Sequence, residues 1–299
     1  MIKSRAIVLH RFPYSDSSWI VKALTEECGI ISFIVKGGKR KESPFRGALD
    51  PLALSEIVFR QNPNTELQFI KEATLLDWRK NLREDLLSLA KAQVMAEMIM
   101  RYAPQGVPLQ EEYALFEHAT CELNETCARK STANCVCEKQ SSYSANEDDI
   151  HFAAGINDQS QQAASDAPTA NFKNIAKSGN SKTFKNNIFA KWLMSTCEMW
   201  GYDLDLGTCC RCGHTLESAA ADFFPETGGF ICKACLGVES PRAKATTVEG
   251  LWALHCGIEM QHPQYTENAL LAYLRAHIGF LKEINSIKFL NETRKLFEE

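Results

Sequence analysis

The sequence predicts an α+β protein: a small closed amino-terminal β-barrel followed by an α-helical domain that carries a four-cysteine zinc ribbon. Three observations predict it. Short runs rich in β-branched and aromatic residues fill Lys3 to Ala73, three-and-four helical spacing takes over near Leu82, and two Cys-x-x-Cys pairs begin at Cys209 and Cys232.

The barrel comes from about five short strands. Arg5 to Leu9, Ser18 to Leu24 and Ile30 to Val35 are rich in β-branched and aromatic residues, with a turn at Thr25 to Gly29. Ala53, Ser55, Ile57 and Phe59 then alternate with Glu56 and Arg60 at the two-residue period of a half-buried strand. Asn62, Pro63 and Asn64 turn the chain back through Leu67 to Ala73. A unit of this size suits an OB-type barrel, which binds oligonucleotides across one face, and the strand count suits an SH3-like barrel equally.

Between the third and fourth strands lies VKGGKRKESPFRGALDP, Val35 to Pro51. Lys36, Lys39, Arg40, Lys41 and Arg46 stand there against Glu42 alone, a local charge of +4 in a chain of net charge -4. Gly37 and Gly38 open backbone conformations closed to other residues. A solvated surface loop and a polyanion site both fit a charge run of this kind. Phe12, Tyr14, Trp19 and Phe45 are the nearest aromatics for base stacking, and Phe45 is the one selected; each is otherwise a core residue.

Helical spacing from Leu82 to Tyr102 stops at Pro104 and Gly106, and a second helix spans Gln110 to Leu123. From about 125 to 186 the composition turns to Ser, Asn, Gln, Ala and Lys with acidic Glu147 to Asp149, and is expected to be a disordered insertion. Cys135, Cys137 and His151 lie in it without a standard metal spacing. Helical periodicity returns from Ile188 to Gly201. It recurs after the cysteines, from a capping box at Thr246 and Glu249 and again from Thr266 to Leu281, before a short helical tail, Ser286 to Glu299. His255 and His277 on these helices are expected to be core or boundary residues. The domain organisation expected is a barrel at 1–80, a helical domain split into 81–124 and 187–299 around the insertion, and a ribbon at 207–237.

Cys209 and Cys212 are separated from Cys232 and Cys235 by nineteen residues, with Gly213 as the turn after the first pair. Four thiolates close a tetrahedron around zinc and leave no open position, so the metal is structural; an iron–sulfur cluster and a redox dithiol are the alternatives. Cys210 and His214 are expected to be spectators.

Composition limits what else the chain can do. A net charge of -4 repels polyanions from most of the surface, so nucleic-acid binding has to be local. MIKSRAIVLHRF is too charged and too short in its apolar run for a signal peptide, which points to the cytoplasm, where twelve cysteines do not build a disulfide framework. Gly37-Gly38-Lys39 is not a phosphate-binding P-loop, because Arg40 stands where Ser or Thr is required. No clustered carboxylate motif points to a nuclease, and the chain is expected not to be an enzyme.

AIVLHRFPYSDSSWIV, KGGKRKESPFRGALDP, WGYDLDLGTCCRCG, FFPETGGFICKAC and YLRAHIGFLKEINSIKFL, taken in order, resemble the bacterial recombination mediator family RecO. The resemblance implies an amino-terminal OB-fold, a helical carboxy-terminal domain and a zinc ribbon within it. It implies binding of single- and double-stranded DNA, annealing of complementary strands, and loading of RecA, with RecR, onto DNA coated by single-strand binding protein in the RecF pathway at the nucleoid. By position, Lys36, Lys39, Arg40, Lys41 and Arg46 match the family's basic loop and Cys209, Cys212, Cys232 and Cys235 its metal ligands. The long polar insertion departs from the pattern. The competing reading is a protein–protein adaptor with a structural zinc ribbon and little DNA activity of its own.

Overall fold

The computed structural model describes residues 1–141, 187–217, 220–239, 241–278 and 284–297, with side chains from 130 to 141 left aside. The expected insertion therefore lies largely outside the described residues, as do His151 and the side chains of Cys135 and Cys137. The described residues up to Lys130 and from Asn187 onward form one compact unit.

Five strands close the barrel: β1 (Ile2–Pro13), β2 (Trp19–Thr25), β3 (Gly29–Val35), β4 (Leu54–Arg60) and β5 (Leu67–Asp77), in the order β1-β2-β3-β5-β4. β3 and β5 run parallel, pairing Ser32 with Leu67 and Ile34 with Phe69, while β4 returns antiparallel to β1. That closure is the OB arrangement. An SH3-like barrel joins antiparallel neighbours, so the strand count alone left open what the pairing decides.

Ala6, Val8, Val21, Phe33, Ile57 and Phe59 fill the interior, where the Phe33 and Phe59 rings meet edge to face at 5.1 Å. Ile7, Leu9, Leu24, Ile30, Leu52 and Leu54 join a second core shared with the helices. β1 is thus buried on both faces along part of its length, which is why AIVL is continuously apolar instead of alternating.

The helices are α1 (Lys80–Glu84), α2 (Leu86–Tyr102), α3 (Gln110–Ser141), α4 (Ile188–Met199), α5 (Lys233–Leu236), α6 (Ala245–His255), α7 (Pro263–Ile278) and α8 (Asn285–Lys295). The single helix expected from Leu82 is broken at Asp85, which takes an extended conformation and accepts the Ser88 N–H on Oδ1 at 2.8 Å, capping α2. α3 continues past Leu123, because no glycine or proline interrupts 110–141; Leu123 and Cys127 still face the core, and polarity alone does not stop a helix. The Thr246–Glu249 capping box does not form. Lys244 is the N-cap of α6, and no side chain caps it. α7 begins one turn earlier than the periodicity placed it, at Pro263, whose fixed φ suits a first helical turn; Leu281 is outside the described residues. His255 and His277, expected in the core or at its boundary, lie outside the core, and His277 Nδ1 lies 2.9 Å from the Tyr273 carbonyl.

Two polar clusters tie these helices together. Glu267 of α7 is fully buried between Lys91 of α2, at 2.7 Å, and Arg294 of α8, which also donates to Asn268 Oδ1 at 2.6 Å. Glu97 of α2 receives the Ser286 N–H at 2.9 Å, the Ser286 hydroxyl at 2.7 Å and the Asn285 N–H at 3.3 Å, capping α8 from another helix. Burial alone would raise the Glu97 pKa. The hydrogen bonds from Ser286 and Asn285, with Arg101, outweigh it and hold the carboxyl below its ordinary value. A depressed carboxylate contributes stability above its unfolded pKa and loses it as pH falls through the folded one. Urea titrations of wild type and Glu97→Gln are therefore expected to differ most above about pH 5 and to converge toward pH 3. A gap that does not change with pH would refute this account.

Candidate nucleic-acid interface and metal centre

The basic loop from Lys36 to Ala53 divides into two halves. In the first, successive turns are closed by Gly38 N–H to Val35 O (3.3 Å), Arg40 N–H to Gly37 O (3.0 Å) and Ser43 N–H to Arg40 O (3.1 Å), while the Lys39 N–H reaches Ser17 O (3.1 Å) in the β1–β2 turn. Gly37 has φ +70°, the left-handed region the sequence anticipated. Gly38 serves closeness instead, since a Cβ there would lie 2.8 Å from the Trp19 ring. In the second half Ala48, Leu49 and Leu52 are buried, and Leu52 is held at φ 67° by its N–H to Val8 O at 2.7 Å.

Lys36, Lys39, Arg40, Lys41 and Arg46 are all exposed. Among the described residues none of the five forms an ion pair. Lys36 Nζ stands 5.3 Å over the Phe69 ring, and Lys39 Nζ donates to Ser15 O while lying 5.0 Å over Trp19, whose ring also carries Arg11 at 4.6 Å. Arg11 by contrast is neutralised by Asp50 at 2.8 Å. Beside the loop a cleft of about 440 Å³ is lined by Tyr14, Ile34, Lys36 and Arg40 among others.

The aromatics sort differently from the sequence expectation. Phe45 is half-buried and packs on the barrel core, because the chain around it dives inward at Ala48 and Leu49. Phe12, Tyr14 and Phe69 are 36%, 58% and 57% exposed. Phe69 went unnoticed because β5 pairs with β3 only through barrel closure, a contact with no local signal; its place in LQFIKEAT was the available clue.

The second candidate site is a ribbon of β6 (Asp205–Cys209), β7 (Asp222–Phe224) and β8 (Gly229–Ile231), ordered β6-β8-β7 and followed by the single turn of α5. Cys209 ends β6, Cys212 follows in the turn closed by Gly213 N–H to Cys209 O (2.8 Å), Cys232 caps α5, and Cys235 lies within it. Their four sulfurs lie within 4.8 Å of one another, with Cys212 and Cys232 Sγ at 3.9 Å. A tetrahedral zinc with bonds of about 2.3 Å needs sulfurs about 3.8 Å apart, so the donor set fits such an ion. Burial opposes ionisation of Cys209, yet the N–H groups of Cys232, Cys212 and Arg211 pull its thiol down to about 6. Hydrogen bonds from the crowding thiols, Cys212 first, push Cys235 up to about 12, and a bound cation would displace those protons. Cys210 is exposed and bonded to Thr227 Oγ1 at 3.9 Å, outside the cluster, and His214 contributes only its carbonyl, to the Cys209 N–H at 2.9 Å. Asp222, fully buried, accepts the N–H groups of Arg242 and Ala243 at 2.8 Å and fixes the exit of the ribbon.

Residues 1–79 match the family model described as Recombination protein O N terminal. Curated relatives named DNA repair protein RecO extend the match. One from Syntrophotalea carbinolica is 23% identical over 233 residues, 78% of this chain and 69% of that protein. The chain is similar to RecO proteins, most clearly through its first 79 residues. A RecO from Salinibacter ruber is 29% identical over 131 residues, 44% of this chain and 50% of its own. A RecO from Bacteroides fragilis is 33% identical over 126 residues, 42% and 52%. The chain thus spans about half the length of most of these RecO relatives. Among the described residues no helix is long and apolar enough to cross a membrane.

Proposed function

We propose that the chain is a DNA repair and recombination mediator. It binds single- and double-stranded DNA, anneals complementary strands and, with RecR, helps load RecA onto strands coated by single-strand binding protein in the RecF pathway, working in the cytoplasm at the nucleoid. The observation that carries this reading is the OB barrel bearing five exposed cations with no carboxylate partner among the described residues. Similarity to proteins named DNA repair protein RecO supports it. Each cation that meets a phosphate releases condensed counterions, giving affinity without sequence preference. Annealing then needs no bond-breaking step, so the reading assigns no catalytic residue: with charge neutralised and bases accessible, duplex formation supplies the driving force. Cys209, Cys212, Cys232 and Cys235 hold a structural zinc that fixes the ribbon.

Annealing of two complementary oligonucleotides, bare and then coated with single-strand binding protein, tests the reading without nucleotide present. The wild type is expected to accelerate both. The variant with alanine at Lys39, Arg40 and Lys41 is expected to fail, with the slope of log affinity against log salt flatter by about 2, at about 0.7 per single-strand phosphate contact. A protein–protein adaptor is the second reading, favoured by Leu75, Leu76 and Trp78, which are 40%, 49% and 42% exposed at the end of β5. It predicts instead that the triple variant retains full activity.

A further inference from the structure

We infer that Asp50 is an internal counter-anion that withholds Arg11 from phosphate and so holds the affinity of the basic loop below what its geometry offers. The inference rests on the DNA-binding reading and concerns how that site is restrained.

Arg11 stands beside the loop. Its guanidinium lies 4.6 Å over the Trp19 ring, which also carries Lys39 Nζ at 5.0 Å and which Gly38 approaches so closely that a Cβ would come within 2.8 Å of it. The Arg11 side chain is 31% exposed, so solvent reaches it. Position alone would make it a further cation of the site.

Asp50 changes that. Its Oδ1 accepts from Arg11 Nη1 at 2.8 Å and its Oδ2 from Trp78 Nε1 at 3.0 Å, so both carboxylate oxygens are engaged. Its backbone is held as well, the Asp50 N–H donating to Gly47 O at 3.2 Å and the Ala53 N–H to Asp50 O at 3.0 Å. Trp78 is fixed in turn, because Arg83 lies 4.6 Å over its ring while donating to Trp78 O at 2.7 Å and to Pro51 O at 2.6 Å. Ion pairs between two long exposed side chains are worth little, since each must be ordered to form them. Here the carboxylate is short and already ordered by Trp78, so pairing costs little beyond Arg11 itself.

Charge sets the consequence. A cation gains affinity for a nucleic-acid strand by releasing condensed counterions when it meets a phosphate. The paired Arg11 and Asp50 carry no net charge between them, so this cation contributes no such release while the pair is closed. Lys36, Lys39, Arg40, Lys41 and Arg46 have no carboxylate partner among the described residues and keep the full effect. A site held below its full charge lets a bound strand leave sooner.

The full-length protein would be titrated with a labelled oligothymidylate at several salt concentrations as wild type, as Asp50→Asn, and as Asp50→Asn combined with Arg11→Gln. The asparagine keeps an oxygen for Trp78 and removes the charge. Asp50→Asn is expected to bind about fivefold tighter at about 0.1 M salt, with the slope of log affinity against log salt steeper by about 0.7, the value for one added single-strand phosphate contact. The double variant is expected to return to wild type in both, because it removes a pair of no net charge. Urea unfolding checks that each variant keeps its fold, and Asp50→Ser takes the place of an asparagine variant that does not. The inference is overturned if Asp50→Asn binds as the wild type does, or if its gain survives the loss of Arg11, which would assign the gain to the missing carboxylate alone. A double variant weaker than wild type also overturns it, since Arg11 would then already be meeting phosphate. The DNA-binding reading survives each of those results, whereas a wild type that binds no strand removes both.

Discussion

Serine at Cys212 and Cys235 together is expected to abolish zinc binding, measured by atomic emission, against an expected one ion per chain in the wild type. Zinc binding at four-thiolate sites is worth on the order of 10 to 16 kcal/mol in isolated peptides, far more than the small local core can replace. That core is Phe224, Ile231 and Leu236. The loss should nevertheless be local. Phe223 and Phe230 belong to the large helical core and meet edge to face at 6.0 Å, with Trp252 of α6 against Phe230 at 6.2 Å. Limited proteolysis of the variant, or of wild type stripped by a chelator, is expected to cut between Cys209 and Leu236 while the barrel stays intact. Full metal content in the double variant would exclude this ligand set.

Alanine at Glu267 is expected to destabilise the protein by about 3 to 5 kcal/mol, the usual cost of removing one partner from a buried ion cluster. Lys91 and Arg294 have side chains only 13% and 9% exposed, and without Glu267 both are left buried beside each other. Replacing Lys91, Glu267 and Arg294 together with apolar residues of similar volume should recover most of the loss, because the pairing chiefly offsets its own desolvation. Equilibrium urea unfolding of both variants checks this. A change below about 1 kcal/mol for the single alanine would mean that the cluster relaxes or admits water.

The four cysteines could be read from the sequence because coordination chemistry fixes their spacing within each pair. The strands could be read because alternation is local. Barrel closure could not, since Ile34 and Phe69 meet across thirty-four intervening residues and nothing in either segment names the other. Glu267 looked like an ordinary polar position on α7, and its partner Lys91 lies 176 residues away. Asp85 offered a cap signal that the longer apolar period around it concealed. Phe45 and Phe69 show the same limit: proximity to the basic loop in sequence favoured the first, whereas the fold turns the first inward and sets the second beneath Lys36.

The two halves of the basic loop answer to different constraints. From Lys39 to Glu42, past the two constrained glycines, the side chains face solvent and fill no volume in the core, so residues there can be exchanged, or a few added, with consequences confined to what the loop binds. From Ala48 to Ala53 the same connection is interior structure, and a change there would be felt as a packing defect across Val8. Variation in one short segment can thus retune the ligand without endangering the barrel, provided it stops before Phe45.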